Sequence, residues 1–209
     1  MLDLINLMNN IFGYKLGEKI LLLYDIPPTN DNKEWKNRRK LAHEWQQILK
    51  KDRVKTAIAF YQATYANNAD FPEKWCLEGK DENIDESIFE FDIVIALTEF
   101  SCTAPLHKHA KKSGIRAASM PGFTSKMLPA LELDYSDVAK KVGKIHNLLS
   151  KSESMIIIFK VNYTEYRLFI DLRYRMPRKD DGNCREKGTV INLPSGEAFM
   201  VPYEGEHRE

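Results

Sequence analysis

The sequence lacks the features of membrane-spanning, secreted and charge-driven nucleic-acid-binding proteins. No apolar run approaches the ~20 residues that a transmembrane helix needs, and no basic segment leads into an apolar stretch at the N-terminus. The 31 Lys and Arg residues balance 30 Asp and Glu residues, so the formal net charge is +1. Binding to nucleic acid or to an anionic membrane by bulk charge needs a face of one sign. We therefore expect neither nucleic acid nor a membrane as a partner.

Cysteine and glycine-rich phosphate loops are also scarce. Cys76, Cys102 and Cys184 are odd in number and far apart, which argues against a disulfide framework and against a CxxC metal site. Reduced thiols are typical of cytoplasmic proteins, and we expect a cytoplasmic localisation. Neither GxGxxG nor GxxxxGK[ST] occurs in the chain, so we expect no nucleotide cofactor.

The first 150 residues alternate between strand and helix patterns. Short apolar runs predict strands at 19–24, 56–61, 92–98 and 115–119, and segments with apolar residues at helical spacing separate them. The run at 92–98 (DIVIALT) is apolar on both faces, as a parallel strand covered by two helix layers requires. We predict an α/β domain over residues 1–150, with a doubly wound, Rossmann-like parallel sheet.

The pattern changes after residue 150 and becomes a series of strands without helices. These strands are predicted at 155–161, 166–172, 189–193 and 198–201. We predict that residues 151–209 form a second, β-rich domain. That domain would be incomplete, because so few residues seldom bury a core of their own.

Four polar residues in the first domain are candidates for chemistry. Asp25 ends a strand where ligands bind in open α/β sheets, although aspartate is also common there as a turn or cap residue. Cys102 precedes a helix N-terminus, which can lower the pKa of a thiol, but no GxSxG-like turn surrounds it. His107 and His109 are two residues apart, whereas paired helical metal ligands need i, i+4 spacing. We expect both histidines on a solvated helix surface.

The segment 192–199 (NLPSGEAF) places Glu197 directly after a tight Pro-Ser-Gly turn between two strand-like runs. Such a turn fixes a side chain rigidly, as a metal-binding carboxylate requires. The simpler alternative is an ordinary hairpin turn with an exposed glutamate.

The same segment, extended from Asn192 to Pro202, resembles the NLP-x-[GE]-E-x-F-x-x-P signature of the aminopeptidase T / aminopeptidase S family, also called thermophilic leucyl aminopeptidases. Three further stretches resemble that family: 92–101 (DIVIALTEFS), 114–122 (GIRAASMPG) and Asp134-Tyr135. With 17–25 included, the resemblance extends over nearly the whole chain.

The resemblance implies a metallo-aminopeptidase, a hydrolase that removes N-terminal residues from peptides. The resemblance also implies that residues 151–209 are the start of the family's metal-binding domain. The two-metal site of that domain uses Glu, His, Tyr and Asp, and Glu197 would be its first ligand here. The other ligands would lie beyond residue 209, so the chain alone should be inactive and hold no ordered metal. Zinc, cobalt or manganese suits such a site. The family's dimers, which form through the second domain, imply a homodimer.

Two alternatives stay open, because the wider superfamily includes an iron-dependent dioxygenase of dihydroxypyridines. The protein could be a non-heme iron dioxygenase of N-heteroaromatic rings, or a non-catalytic binding or assembly member. Downstream ligands distinguish them: a second Glu followed by His, Tyr and His-x-Asp favours the peptidase, and His with His-x-Asp alone favours the oxygenase. His207 lies in a polar tail, and we do not expect it to be a second ligand.

Overall fold

The structure is a computed structural model that describes residues 2–27, 29 and 32–201. The chain packs as two units. The first comprises Met1–Tyr135 and Gly182–Ser195, and the second comprises Ser136–Asp181 and Gly196–Glu209. Both units are therefore discontinuous in sequence.

The elements follow one another along the chain in this order: α1 (Leu4–Phe12), β1 (Lys19–Ile26), α2 (Lys33–Lys51), β2 (Lys55–Gln62), β3 (Lys74–Leu77), β4 (Lys80–Asn83), α3 (Ile84–Ser87), β5 (Ile93–Leu97), α4 (Thr103–Ser113), β6 (Arg116–Ser119), α5 (Tyr135–Lys151), β7 (Ser154–Val161), β8 (Thr164–Asp171), β9 (Arg178–Asp180), β10 (Val190–Asn192) and β11 (Glu197–Phe199). Two short 3-10 segments, Ile88–Glu90 and Ser125–Leu131, complete the list. None of the described helices is long and apolar enough to cross a membrane.

The first unit is built on a seven-stranded sheet in the order β10-β6-β5-β1-β2-β3-β4. The five strands from β10 to β2 are parallel, whereas β3 and β4 are added antiparallel beside β2. The predicted α/β class with a mainly parallel sheet is confirmed. Two small antiparallel sheets, β7-β8 and β9-β11, accompany it.

Helices cover both faces of this sheet. Successive residues of a strand point to opposite sides, so the two helix layers contact different side chains of the same strand. Ile20 and Leu22 of β1 belong to a core cluster with residues of α1 and α2. Leu21 and Leu23, between and beside them, belong to a second cluster with α3 and α4 residues. The central strand is therefore buried on both sides, as the continuous apolar runs predict.

The hairpin formed by β3 and β4 was not predicted from the sequence. Its two strands have four residues each, and β4 (KDEN) has no apolar alternation. Glu78 and Gly79 connect the strands, and both have positive φ angles, 46° and 85°. This is the backbone geometry of a two-residue hairpin turn. The hairpin is held at the edge of the sheet by the pairing of β3 with β2 and by the burial of Trp75 and Leu77.

The strand predicted at 189–193 was expected among the later, β-rich strands, and this expectation was wrong. β10 instead pairs in parallel with β6 and extends the main sheet. The backbone N–H of Ala117 donates to Thr189 O, and the N–H of Leu193 donates to Ser119 O, both at 3.0 Å. β6 would otherwise be an open apolar edge. Whether residues 1–150 fold as a domain by themselves stays a prediction.

The second unit has little core among its described residues. Its buried hydrophobic side chains are Val142 and Leu172. β7 and β8 pair over their full lengths through a turn at Asn162 and Tyr163. The pairing puts seven apolar residues on one face: Met155, Ile157, Phe159 and Val161 of β7, and Tyr166, Leu168 and Ile170 of β8.

This apolar hairpin face should make the protein self-associate or bind a neutral hydrophobic dye. Phe159 is 47% exposed and Leu168 is 48% exposed, and contiguous apolar surface of this kind marks an interaction site. The double variant Phe159→Glu/Leu168→Glu should abolish most of the dye signal and shift light scattering toward the monomer. Leu16→Ser, which removes an isolated exposed leucine, serves as the control. A strictly monomeric wild-type chain without dye binding would contradict this interpretation.

Candidate functional site

Polar residues gather where the parallel strands of the main sheet end. Asp25 lies near the end of β1, Thr98 and Glu99 follow β5, and Ser119 ends β6. The strand order reverses between β1 and β5, since the chain builds to one side of β1 first and to the other side later. Open α/β sheets bind ligands in the crevice at such a switch point. The carboxyl ends of β1 and β5 are therefore the candidate site of the first unit.

Asp25 is a buried bridge between these two strand ends. The backbone N–H of Glu99 donates to both carboxylate oxygens of Asp25, at 2.9 and 3.0 Å. Burial raises the pKa of Asp25 to about 6, although the Glu99 N–H and the positive charge of Arg38 lower it. The carboxyl group is therefore held in place and titrates close to neutral pH, which is a common property of functional carboxyls.

Arg38 and Glu99 form a second charged pair in this crevice, and sequence reasoning missed both residues. Arg38 lies on α2, is 2% exposed and donates to the carboxylate of Glu99. Its guanidinium carbon lies 5.2 Å from the centre of the Trp35 ring. The one available signal was the position of Arg38 on the same helix face as Trp35, Leu41 and Trp45, where a buried arginine needs a carboxylate partner.

Cys102 is a buried neutral thiol at this edge of the sheet. Its sulfur lies 3.6 Å from the Ser119 hydroxyl and 3.8 Å from the Thr98 hydroxyl. Burial raises the pKa of Cys102 to about 11, so the thiolate that a nucleophile requires is disfavoured at neutral pH. The helix N-terminus beside it does not outweigh the loss of solvent.

Amide and hydroxyl side chains connect the loops at the same edge. Asn67 Oδ1 accepts from the backbone N–H of Ser101 at 2.9 Å, and Asn68 Oδ1 accepts from the N–H of Ala104 at 3.0 Å. Thr103 Oγ1 donates to Asn192 Oδ1 at 2.7 Å. Asn192, the first residue of the motif segment, therefore contributes to the order of this loop cluster.

Glu197, the predicted metal ligand, is an exposed residue of β11 in the second unit. It lies opposite Asp180 in the antiparallel pairing with β9. Asp180 and Asp181 are buried, and Lys179 Nζ contacts Asp181 Oδ2 at 2.7 Å. Within residues 2–27, 29 and 32–201, no group of three or more His, Cys, Asp and Glu side chains is placed to hold a metal ion. The role of Glu197 stays a prediction, and His207 lies outside the described residues.

His109 is buried, whereas we expected it on a solvated helix surface. Its ring stacks on Phe71 at 5.8 Å, and Nε2 lies 3.5 Å from Asp85 Oδ1. Burial lowers the pKa of His109, with Lys112 and Lys108 acting in the same direction and Asp85 opposing them. The contacts of His109 with Phe71 and Asp85 accompany this burial, which helical spacing alone does not reveal. His107 is only partly buried, so the two histidines do occupy different environments.

The sequence matches no family model and no curated protein. Among solved structures, the chain is similar to 2,5-dihydroxypyridine dioxygenase from Pseudomonas putida, with a TM-score of 0.56 and 14% sequence identity. The similarity covers 90% of this chain and 51% of that chain, so this chain spans about half of the dioxygenase's length. At this identity, the likeness shows a shared fold.

The raised pKa of Asp25 predicts a pH-dependent cost to stability. The folded state retains the Asp25 proton up to about pH 6, whereas the unfolded chain releases it near the ordinary value of 3.8. The contribution of Asp25 to the free energy of unfolding is therefore largest in acid and falls as the pH rises from about 4 to about 6. In urea titrations, the free energy of unfolding of Asp25→Asn should increase relative to that of the wild type over this pH range, by up to roughly 3 kcal/mol. The exposed Asp81→Asn control should show no such trend.

The lowered pKa of His109 predicts a contribution to stability that increases with pH, opposite to that of Asp25. The fold favours the neutral imidazole, so the His109 contribution is fully present above pH 6.5 and is lost as the pH falls below it. His109→Phe keeps a ring against Phe71 but cannot titrate. The free energy of unfolding should therefore fall less between pH 7 and pH 5 for His109→Phe than for the wild type, as measured by chemical unfolding. An equal loss in both, or the same change in a His146→Phe control, would refute this assignment.

Proposed function

We propose that this chain forms the α/β half of a non-heme iron dioxygenase that cleaves an N-heteroaromatic ring. The observation that carries the proposal is the likeness in fold to 2,5-dihydroxypyridine dioxygenase, which covers 90% of the chain. The sequence motifs support it independently, because the family they resemble belongs to a superfamily with such a dioxygenase. We place the reaction in the cytoplasm, in agreement with the free Cys76, Cys102 and Cys184.

The described residues do not fit an iron site of the usual two-histidine, one-carboxylate kind, because no three donors among them converge. The proposed role of this chain is to supply the sheet whose carboxyl edge carries Asp25, the Arg38–Glu99 pair and the hydrogen-bonded loops that contain Asn67 and Asn192. Such an edge offers fixed polar groups that could orient a small ring substrate.

An aminopeptidase is the second candidate, and Glu197 is the observation that favours it. The residue occupies the carboxylate position of the family motif, and it is exposed at the start of β11. A metal ligand must be accessible before the metal binds, and an exposed carboxylate meets that requirement. In this alternative the cofactor is zinc, cobalt or manganese, the substrate is a peptide, and the apolar β7–β8 face forms a homodimer.

The test is a pair of assays on the product of the complete reading frame. We expect iron-dependent loss of 2,5-dihydroxypyridine with one molecule of oxygen consumed per ring, and no hydrolysis of leucine-p-nitroanilide with added zinc, cobalt or manganese. The reverse result would replace the oxygenase by the peptidase. Inactivity in both assays would favour a non-catalytic binding or assembly protein.

The 209-residue chain and a Glu197→Gln variant sharpen this test. The chain of 209 residues should turn over neither substrate, because a catalytic metal needs about three protein ligands and Glu197 is a single one. In the complete product, Glu197→Gln should leave oxygen consumption within about twofold of wild type, as a residue outside the reacting groups does. A loss of about 100-fold or more would instead identify Glu197 as a ligand of the reacting metal. Glu132→Gln, which changes another exposed glutamate, is the matched control.

A further inference from the structure

A cavity of about 650 Å³ lies beside α2 in the first unit, and none of the residues that line it belongs to the carboxyl-edge site. The N-terminal segment and the 3-10 segment Ser125–Leu131 contribute its other walls through Leu2, Leu4 and Leu128. Its size is within the range of small-molecule sites in proteins, roughly 300 to 1,000 Å³. It is too large for a single ion.

The base of this cavity is apolar. Leu4, Leu41 and Trp45 line it and are buried, so the surrounding core fixes their positions. Ile48 and Leu128 line it as well and remain partly exposed. A concave apolar surface with a rigid floor favours a ligand with an aliphatic body, because each methylene removed from water adds to the affinity.

The rim of the cavity is polar and carries an excess of positive charge. Lys40, His43, Glu44, Gln47 and Lys51 form it. Glu44 contacts Lys40, with its carboxylate oxygen 3.5 Å from Nζ, so the single negative charge of the rim is already compensated. Lys51 forms no ion pair with any residue in the described part of the chain. The rim therefore offers one unneutralised ammonium group above an apolar floor.

We propose that this cavity binds an amphipathic monoanion, specifically an aliphatic carboxylate. The chain of the ligand lies against Leu41, Trp45 and Leu128, and its carboxylate pairs with the Lys51 ammonium. The complementarity is one of shape and charge: an apolar body for the floor and a single negative charge for the rim. The proposal concerns a different part of the molecule from the proposed catalytic function and stands without it.

Calorimetric titration of the 209-residue chain with octanoate and decanoate tests the proposal. Saturable binding of one ligand per chain is expected, and decanoate should bind about tenfold more tightly than octanoate because of its two additional methylenes. Nonyltrimethylammonium has the same nine-carbon alkyl chain as decanoate with the opposite charge, and it should bind at least about fivefold more weakly than decanoate. Equal affinity for decanoate and nonyltrimethylammonium, or binding that does not saturate, would overturn the proposal.

Variants of two neighbouring lysines separate this site from general charge effects. Lys51 lines the cavity and Lys50 does not, although both are exposed in the last turn of α2. Lys51→Glu should weaken decanoate binding about fivefold, whereas Lys50→Glu, with the same charge reversal, should stay within about twofold of wild type. Leu128→Asn should weaken decanoate binding about tenfold, because it removes apolar contact with the ligand chain. Circular dichroism and the midpoint of thermal unfolding establish that each variant is folded.

The apolar β7–β8 face is the competing location for an aliphatic ligand. If decanoate bound there, Phe159→Glu/Leu168→Glu would abolish binding and Lys51→Glu would leave it unchanged. That pattern would overturn the proposal, and the opposite pattern would support it. Equal effects of Lys51→Glu and Lys50→Glu would also overturn it.

Discussion

The burial of β1 on both faces is the constraint on which the architecture of the first unit depends. Its residues Ile20 to Tyr24 are nearly inaccessible, and their backbone groups pair with β2 on one side and β5 on the other. A strand in this position needs a helix layer on each face, which α1 and α2 provide on one side and α3 and α4 on the other. The reversal of strand order beside β1 then creates the crevice in which Asp25 is buried.

The polar groups that line the crevice pair with one another. Asp25 accepts two hydrogen bonds from one backbone N–H, and Glu99 neutralises the buried Arg38. These interactions offset the cost of removing charges from water, a cost that a carboxyl group also reduces by retaining its proton. The polar residues at this edge therefore hold the strand ends in place, which is also what positions any ligand that reaches them.

The second unit presents the opposite situation. β7 and β8 pair over eight residue pairs, yet most of their apolar side chains remain exposed. Two strands alone bury too little surface to offset the entropy of ordering the chain. Glu197 belongs to this less buried part, opposite Asp180. The first unit is thus well packed, whereas the proposed chemistry depends on metal donors that the described residues do not assemble.

Sequence alone determined the class of the fold and most strands of the main sheet. A strand that is buried on both faces, such as β5, must be apolar at every position, and this gives a continuous apolar run in the sequence. The sequence also predicted strands at the positions of β7 and β8. The β3–β4 hairpin and the placement of β10 depended on which sheet edges were open, a property of the assembled sheet. The Arg38–Glu99 pair joins residues 61 positions apart, and the burial of His109 follows from its contact with Phe71. Only the tertiary structure decides such features, because local periodicity records which face is buried and not what that face meets.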